Sequence, residues 1–177
     1  MKILVITSPD FIADEAAQIV QLLEKNVTFV HIRKPNATQD ELHDLLIKIP
    51  TRYHHRLALH DHFELVKQFS QIGGLHLNAR NPVLPNDWSG RVSQSCHSLN
   101  ELKRCKSSVD YCFLSPIFDS ISKTNYKSAF SLEQLQRSPM IDEKVFALGG
   151  VRFSHQNVLK QCGFGGMVLM GEIWSKT

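Results

Sequence analysis

The chain has 177 residues, 42% hydrophobic and 21% charged, which fits one soluble globular domain spanning residues 1–177 with a sizeable core. A net charge of +3 with scattered Lys and Arg argues against nucleic acid or a membrane surface as the main partner, and leaves small anionic ligands open. No segment approaches the roughly 18 apolar residues of a membrane helix, and the apolar run in MKILVITSPD is too short for a signal peptide. Cys96, Cys105, Cys112 and Cys162 form no CxxC pair, so a reduced, cytoplasmic protein is expected.

In chain order, Lys2 to Thr7 is a short run of Ile, Leu and Val, the pattern of a buried parallel strand. Phe11 to Lys25 carries Ile12, Ala16, Ile19, Leu22 and Leu23 at helical spacing, with Asn26 as its stop. Val27 to Ile32 predicts a second strand. Thr38 and Glu41 have capping-box spacing for a helix whose inner face is Leu42, Leu45, Leu46 and Ile49, ended by Pro50.

Arg56 to His60 predicts a third strand, followed by a helix through Leu65, Val66 and Phe69. Leu75 to Leu77 is a brief fourth strand, and Asn78 to Gly90 is rich in Asn and Pro and reads as loop. Val92 to Ser95 is a fifth strand with a short helix at Leu99, Leu102 and Cys105. Val109 to Leu114 is a sixth, opening into the polar stretch Ser115 to Thr124. Ser131 caps a helix with Leu132 and Leu135 inward and Gln134 as box partner. Lys144 to Leu148, a short helix at Asn157 to Gln161, and Gly166 to Met170 complete the pattern.

Eight short strands alternating with helices or loops predict an α/β fold, a compact (β/α)8 TIM barrel. The last helix should be short or missing, a turn around Ile173 and Trp174. An open doubly wound sheet shares the local pattern, but eight parallel strands favour closure because an open sheet leaves two edges to protect. A missing last helix would expose apolar wall near strands one and eight, so a homo-oligomer is expected.

In a barrel the chemistry sits where strands run into the following loops. The polar residues there are His31 and Arg33, His60 to His62, His76 and Asn78, Ser95 and His97, Ser115 with Ser120, Ser122 and Lys123, Gly149–Gly150, and Gly171. Arg33 and Lys123 can neutralise a diphosphate, Arg bidentately. Hydroxyls of Ser95, Ser120 and Ser122 can donate to its oxygens. Asp61 can hold Mg²⁺, which often takes one or two protein carboxylates and completes its shell with water. Backbone at Gly149, Gly150 and Gly171 can approach a second phosphate closely. His31, His60, His76 or His97 could touch substrate or move a proton near neutral pH. His60 and His62 alternate along the strand and lack cysteine or i, i+4 partners, so HDH is not expected to form a structural zinc site.

FVHIRKP, LHDH, GLHLN, SQSCHSLNEL, DYCFLSPIFDSISKT and FALGGV, in this order, resemble the thiamine phosphate synthase/TenI family over most of the chain. The resemblance implies a (β/α)8 barrel of thiamine biosynthesis. In the synthase branch hydroxymethylpyrimidine diphosphate loses pyrophosphate and the pyrimidine carbocation is captured by the nitrogen of thiazole phosphate, with Mg²⁺ assisting. It implies pyrophosphate roles for Arg33, Lys123 and Ser95, a magnesium role for Asp61, and a thiazole-phosphate turn at Gly149–Gly150. Ser120 and Ser122 stand where the synthase loop has threonines. The chain departs from the pattern at Asn81, in place of a second magnesium aspartate. It also departs at His31 for Gln, His60 for Asn, Pro35 for Lys and Gly171 for Ser. His31 and the SQSCHSLNEL stretch look closer to TenI-type thiazole tautomerases, but Pro116 replaces the histidine used there as acid and base. A transferase is therefore the leading expectation. A tautomerase and a non-catalytic binder of thiazole or thiamine phosphate are the alternatives.

Overall fold

The computed structural model describes residues 1–119 and 128–174. Eight parallel strands follow one another in the order of a closed barrel, β1 to β8. They are β1 (Lys2–Ile6), β2 (Phe29–Ile32), β3 (Leu57–Leu59), β4 (Gly74–Leu77), β5 (Arg91–Cys96), β6 (Tyr111–Leu114), β7 (Val145–Ala147) and β8 (Gly166–Leu169). The helices are α1 (Glu15–Glu24), α2 (Gln39–Ile47), α3 (Leu99–Cys105), α4 (Leu132–Gln136), α5 (Gln156–Gln161) and the four-residue α6 (Gly171–Trp174). The expected (β/α)8 architecture and short final helix are both present. Among the described residues no helix is long and apolar enough to cross a membrane.

The chain clusters into two compact units, Val5–Val92 and Met1–Leu4 with Ser93–Thr177. In the first, β2, β3 and β4 pair in register, His31 with Ala58, Leu59 with Leu75. Thr38 caps α2 as the sequence demands: its hydroxyl accepts from the Glu41 N–H and the Glu41 carboxylate accepts from the Thr38 N–H. Leu42, Leu45, Leu46 and Ile49 are all buried beneath it. In the second unit, β5, β6, β7 and β8 pair in sequence, and Tyr111, Phe113 and Phe146 fill the core beside them.

Several local expectations shift. The first helix begins at Glu15 rather than Phe11, because Asp14 takes a left-handed conformation and Glu15 turns inward to an ion pair. The segment after β3 is a 3-10 turn, Phe63–Lys67, since His62 also adopts positive φ and its apolar residues bury in a single turn. Leu132 is exposed while Leu135 is buried, so only Leu135 forms the inner face of α4. Ser131 accepts from the Gln134 N–H, one half of the expected box. Leu4, Val5 and Ile6 of β1 and every residue of β8 are buried within the chain, so the apolar wall expected near strands one and eight is covered at these residues.

The most demanding buried contact in the first unit went unmarked in the sequence. Lys34 is 1% exposed and donates to the carbonyls of Ser8 and Asp10 and to Glu15 Oε1, the last at 2.7 Å. Its ammonium also lies over the Phe11 ring, 4.7 Å from the centroid. Burial pushes the Lys34 pKa down and the Glu15 pKa up, each opposed by the partner's charge. Removing one partner strands the other charge in the core. Lys34→Met should therefore cost about 3–5 kcal/mol in denaturant melts. Pairing it with Glu15→Leu should recover most of that loss; a double variant no more stable than the single would refute the account.

Candidate functional site

Within the first unit the polar residues gather at the C-terminal ends of β2, β3 and β4. Asp61, directly after β3, is the centre. Its Oδ1 accepts from Arg80 Nε at 2.9 Å, Arg80 Nη2 at 2.8 Å and Asn81 Nδ2 at 3.2 Å. Its Oδ2 is buried without a hydrogen-bond partner. Arg33 follows β2, with its backbone N–H donating to the Thr7 hydroxyl. Burial lowers the Arg33 pKa first, Arg80 lowers it further, and Asp61 raises it. Two guanidiniums thus interact electrostatically around one carboxylate, an arrangement suited to an anion with more charge than Asp61 alone supplies.

The loop after β4 holds this cluster in place. Asn78 donates to the carbonyls of His60 and His76, and its Oδ1 accepts from the N–H groups of Arg80 and Asn81. Asn81 also donates to the His60 carbonyl at 3.1 Å. The sequence marked Asn81 as a lost carboxylate. The structure gives its amide a donor role, to Asp61, the carboxylate beside which that second acid was expected. Arg80 was not singled out. It lies in an irregular loop with no period, and only its place beside Asn81 could have signalled it.

His31, His60 and His76 do not stand at the rim. They are 0%, 4% and 1% exposed and pack on one another. His31 Nδ1 lies 2.9 Å from His60 Nε2, and the His60 and His76 rings stack at 4.0 Å. The register explains the stack: Leu59 pairs with Leu75, so the next residues, His60 and His76, stand side by side. Burial pushes His31 and His60 well below the ordinary imidazole range, and burial and then Arg33 push His76 down to about 3. His62, by contrast, lies apart, with Nε2 on the Ala37 carbonyl and Nδ1 facing Glu64.

In the second unit, Ser95 lies in β5 opposite Phe113. His97 Nδ1 is 3.2 Å from both the Ser115 carbonyl and the Ser115 hydroxyl. The Ser115–Pro116 peptide is cis. Gly149 and Gly150 have φ of 88° and 62°, and the Phe118 N–H donates to the Gly149 carbonyl at 3.0 Å. A Cβ on Gly149 would meet Pro116 Cα at 2.7 Å, and one on Gly150 would meet the Asp119 carbonyl at 2.3 Å. Glycine is therefore required there by the backbone of the preceding loop as well as by any phosphate. Gly171 has open space where a side chain would go. Ser120, Ser122 and Lys123 lie outside the described residues.

Fold and site together define a parallel (β/α)8 barrel with a carboxylate and guanidiniums gathered at its strand ends. Residues 3–173 match the family model described as thiamine monophosphate synthase, and the chain belongs to that family. The structure resembles the thiamine phosphate pyrophosphorylase of Bacteroides thetaiotaomicron. The two share 40% identity and a TM-score of 0.87 over 100% of this chain and 86% of that one. The thiamine-phosphate synthase of Photorhabdus laumondii is 26% identical over 92% of this chain and 80% of its own length. That of Limosilactobacillus reuteri is 24% identical over 70% of this chain, a match spanning 61% of the relative. The Pyrococcus furiosus thiamine phosphate pyrophosphorylase shares the fold, with a TM-score of 0.72 at 18% identity.

The buried imidazoles set a pH dependence of stability. Each ionises near 6.5 when unfolded, whereas the folded state resists protonation down to about 3 at His76. The unfolded chain therefore binds more protons within that window, and stability falls as pH drops through it. Each such group contributes up to about 1.4 kcal/mol per pH unit. Urea unfolding in EDTA should give a level stability above about pH 6.5 and a decline below it. His76→Asn should make the decline shallower; an unchanged slope would count against buried neutral imidazoles.

Proposed function

We propose that the chain is a synthase-type transferase that joins hydroxymethylpyrimidine diphosphate to thiazole phosphate with release of pyrophosphate. The observation that carries this reading is the Arg33–Asp61–Arg80 cluster at the ends of β2, β3 and β4, in a chain of this family. Small phosphorylated substrates suit it. Arg33 holds diphosphate oxygens and stabilises the charge that builds as the carbon–oxygen bond to the pyrimidine methylene breaks. The thiazole nitrogen then forms the new carbon–nitrogen bond, and pyrophosphate leaves with the bonding pair. Ser95, Ser120 and Ser122 donate to the diphosphate and Lys123 supplies a second cation. The Gly149–Gly150 turn and Gly171 receive the phosphate of the thiazole, and His97, anchored on Ser115, lines the same substrate.

Asp61 fits a magnesium ion through one carboxylate oxygen, since Oδ2 is buried and unpartnered while Oδ1 is already taken by Arg80 and Asn81. A bound Mg²⁺ supplies further charge neutralisation for the departing pyrophosphate. With a neutral amide at Asn81, the protein's hold on the ion rests on a single carboxylate, and Arg80 competes for it. The proposed dependence on Mg²⁺ is accordingly weak-affinity.

Thiamine phosphate formation from both substrates with Mg²⁺ is the test. Arg33→Ala and Lys123→Ala should each lower kcat/KM by about 10²–10³-fold, the loss of roughly 2.7–4 kcal/mol of transition-state stabilisation. Asn81→Asp should lower the Mg²⁺ concentration needed for half-maximal rate. Absence of product, with Mg²⁺-independent turnover of a thiazole carboxylate phosphate tautomer, would replace the proposal by a tautomerase. Calorimetric binding of thiamine phosphate without any turnover would replace it by a binder.

A further inference from the structure

Three of the buried histidines of the first unit, His31, His60 and His76, have a geometry that the phosphate chemistry does not use. One nitrogen from each of His31, His60 and His76 lies within 4.8 Å of the other two. They come from β2, the residue just after β3, and β4, and the sequence separations between them leave no local spacing motif. We propose that His31, His60 and His76 form a binding site for a divalent transition-metal ion of the zinc class, distinct from any magnesium held at Asp61.

Zinc bound to imidazole has metal–nitrogen distances of about 2.0–2.1 Å, which places tetrahedral ligand nitrogens about 3.3 Å apart. The His31–His60 pair, at 2.9 Å, is already close to that separation. The remaining separations, none above 4.8 Å, close by at most about 1.5 Å, within the reach of small ring rotations. Metal binding exchanges the His31–His60 hydrogen bond for two coordinate bonds, with each ring proton on its other nitrogen. Ligation requires neutral imidazoles, and burial in the core opposes protonation of all three rings.

The donor set selects the ion. Three neutral nitrogens suit Zn²⁺, Co²⁺ or Cu²⁺, whereas Mg²⁺ prefers oxygen and keeps its water. Three protein ligands leave a fourth position open, the pattern of reactive rather than purely structural zinc. The charged neighbours qualify what fills it. Arg33 and Arg80 act on His60, Arg33 on His76 and Arg91 on His31, with Asp61 the acidic counterweight beside Arg33. This positive surrounding disfavours a bare dication and favours an anionic oxygen as fourth ligand, whether hydroxide or phosphate.

Purified protein stripped with chelator and titrated with Co²⁺ should take up one ion per chain and show the intense visible bands of four-coordinate cobalt. Excess Mg²⁺ should not displace it. His31→Gln and His60→Asn should each weaken binding by at least about 100-fold, beyond the roughly 10- to 100-fold typical of outer-shell changes. X-ray absorption at the zinc edge of the wild-type protein keeps the test independent of how the variants fold. Three imidazole nitrogens at about 2.0–2.1 Å support the site. No retained ion, a shell of oxygen only, displacement by Mg²⁺, or equal affinity in wild type and folded variants overturns it. None of these readings depends on whether thiamine phosphate is made.

Discussion

The constraint on which the first unit depends is the need to satisfy two polar groups buried together at the end of β3. The His60 carbonyl and the Asp61 carboxylate leave the strand where water is nearly excluded, and an unpaired group there is costly. The loop after β4 answers both. Asn78 and Asn81 each donate to the His60 carbonyl, and Asn81 and Arg80 donate to Asp61 Oδ1. One four-residue stretch thereby fixes the carboxylate, orients a guanidinium and leaves one oxygen, Oδ2, unpaired. A buried carboxylate oxygen with no hydrogen-bond partner is costly in a purely structural site. It makes sense as a ligand position.

Charge balance beneath that loop follows from the same crowding. Arg33 and Arg80 are pressed close enough to depress protonation of the imidazoles below, and burial does most of the work. A protonated histidine in this setting would face both desolvation and repulsion. The three rings therefore stay neutral, with His31 and His60 sharing a hydrogen bond at 2.9 Å and His76 stacked on His60. Neutral stacked imidazoles are compact and rigid, and they give Arg33 and Asp61 a firm floor.

The second unit solves a different problem, close packing of two backbones. The turn at Gly149 and Gly150 runs against residues 116–119 at distances that no side chain tolerates. The Gly149 carbonyl receives the Phe118 N–H, and the Leu148 carbonyl receives that of Ile117. His97 fastens to Ser115 just ahead of this contact, and His155 stacks on Phe118 at 3.9 Å. Pro116 is part of this packing, its Cα 2.7 Å from where a Cβ on Gly149 would stand.

The sequence by itself determined the repeating strand–helix order, the capped second helix, the buried strands and the family. Each of these rests on local periodicity, capping chemistry or an ordered set of short motifs. It also marked Arg33, Asp61 and the glycine turn, because their residue types point to anions, metals or tight backbone wherever they occur, while Asn81 stood out only through the family resemblance. Tertiary structure alone decided which groups meet. His60 and His62 look like a pair in LHDH, yet the positive φ at His62 sends it to Ala37 while His60 joins His31 and His76 from other strands. Arg80 acquires its role only by reaching back 19 residues to Asp61. Cys96, Cys105 and Cys112, unremarkable in spacing, lie with sulfurs 2.9 and 3.4 Å apart as free thiols. Local sequence fixes what a strand end can offer; strand register and loop closure choose the partner, because contacts between distant residues leave no period to read.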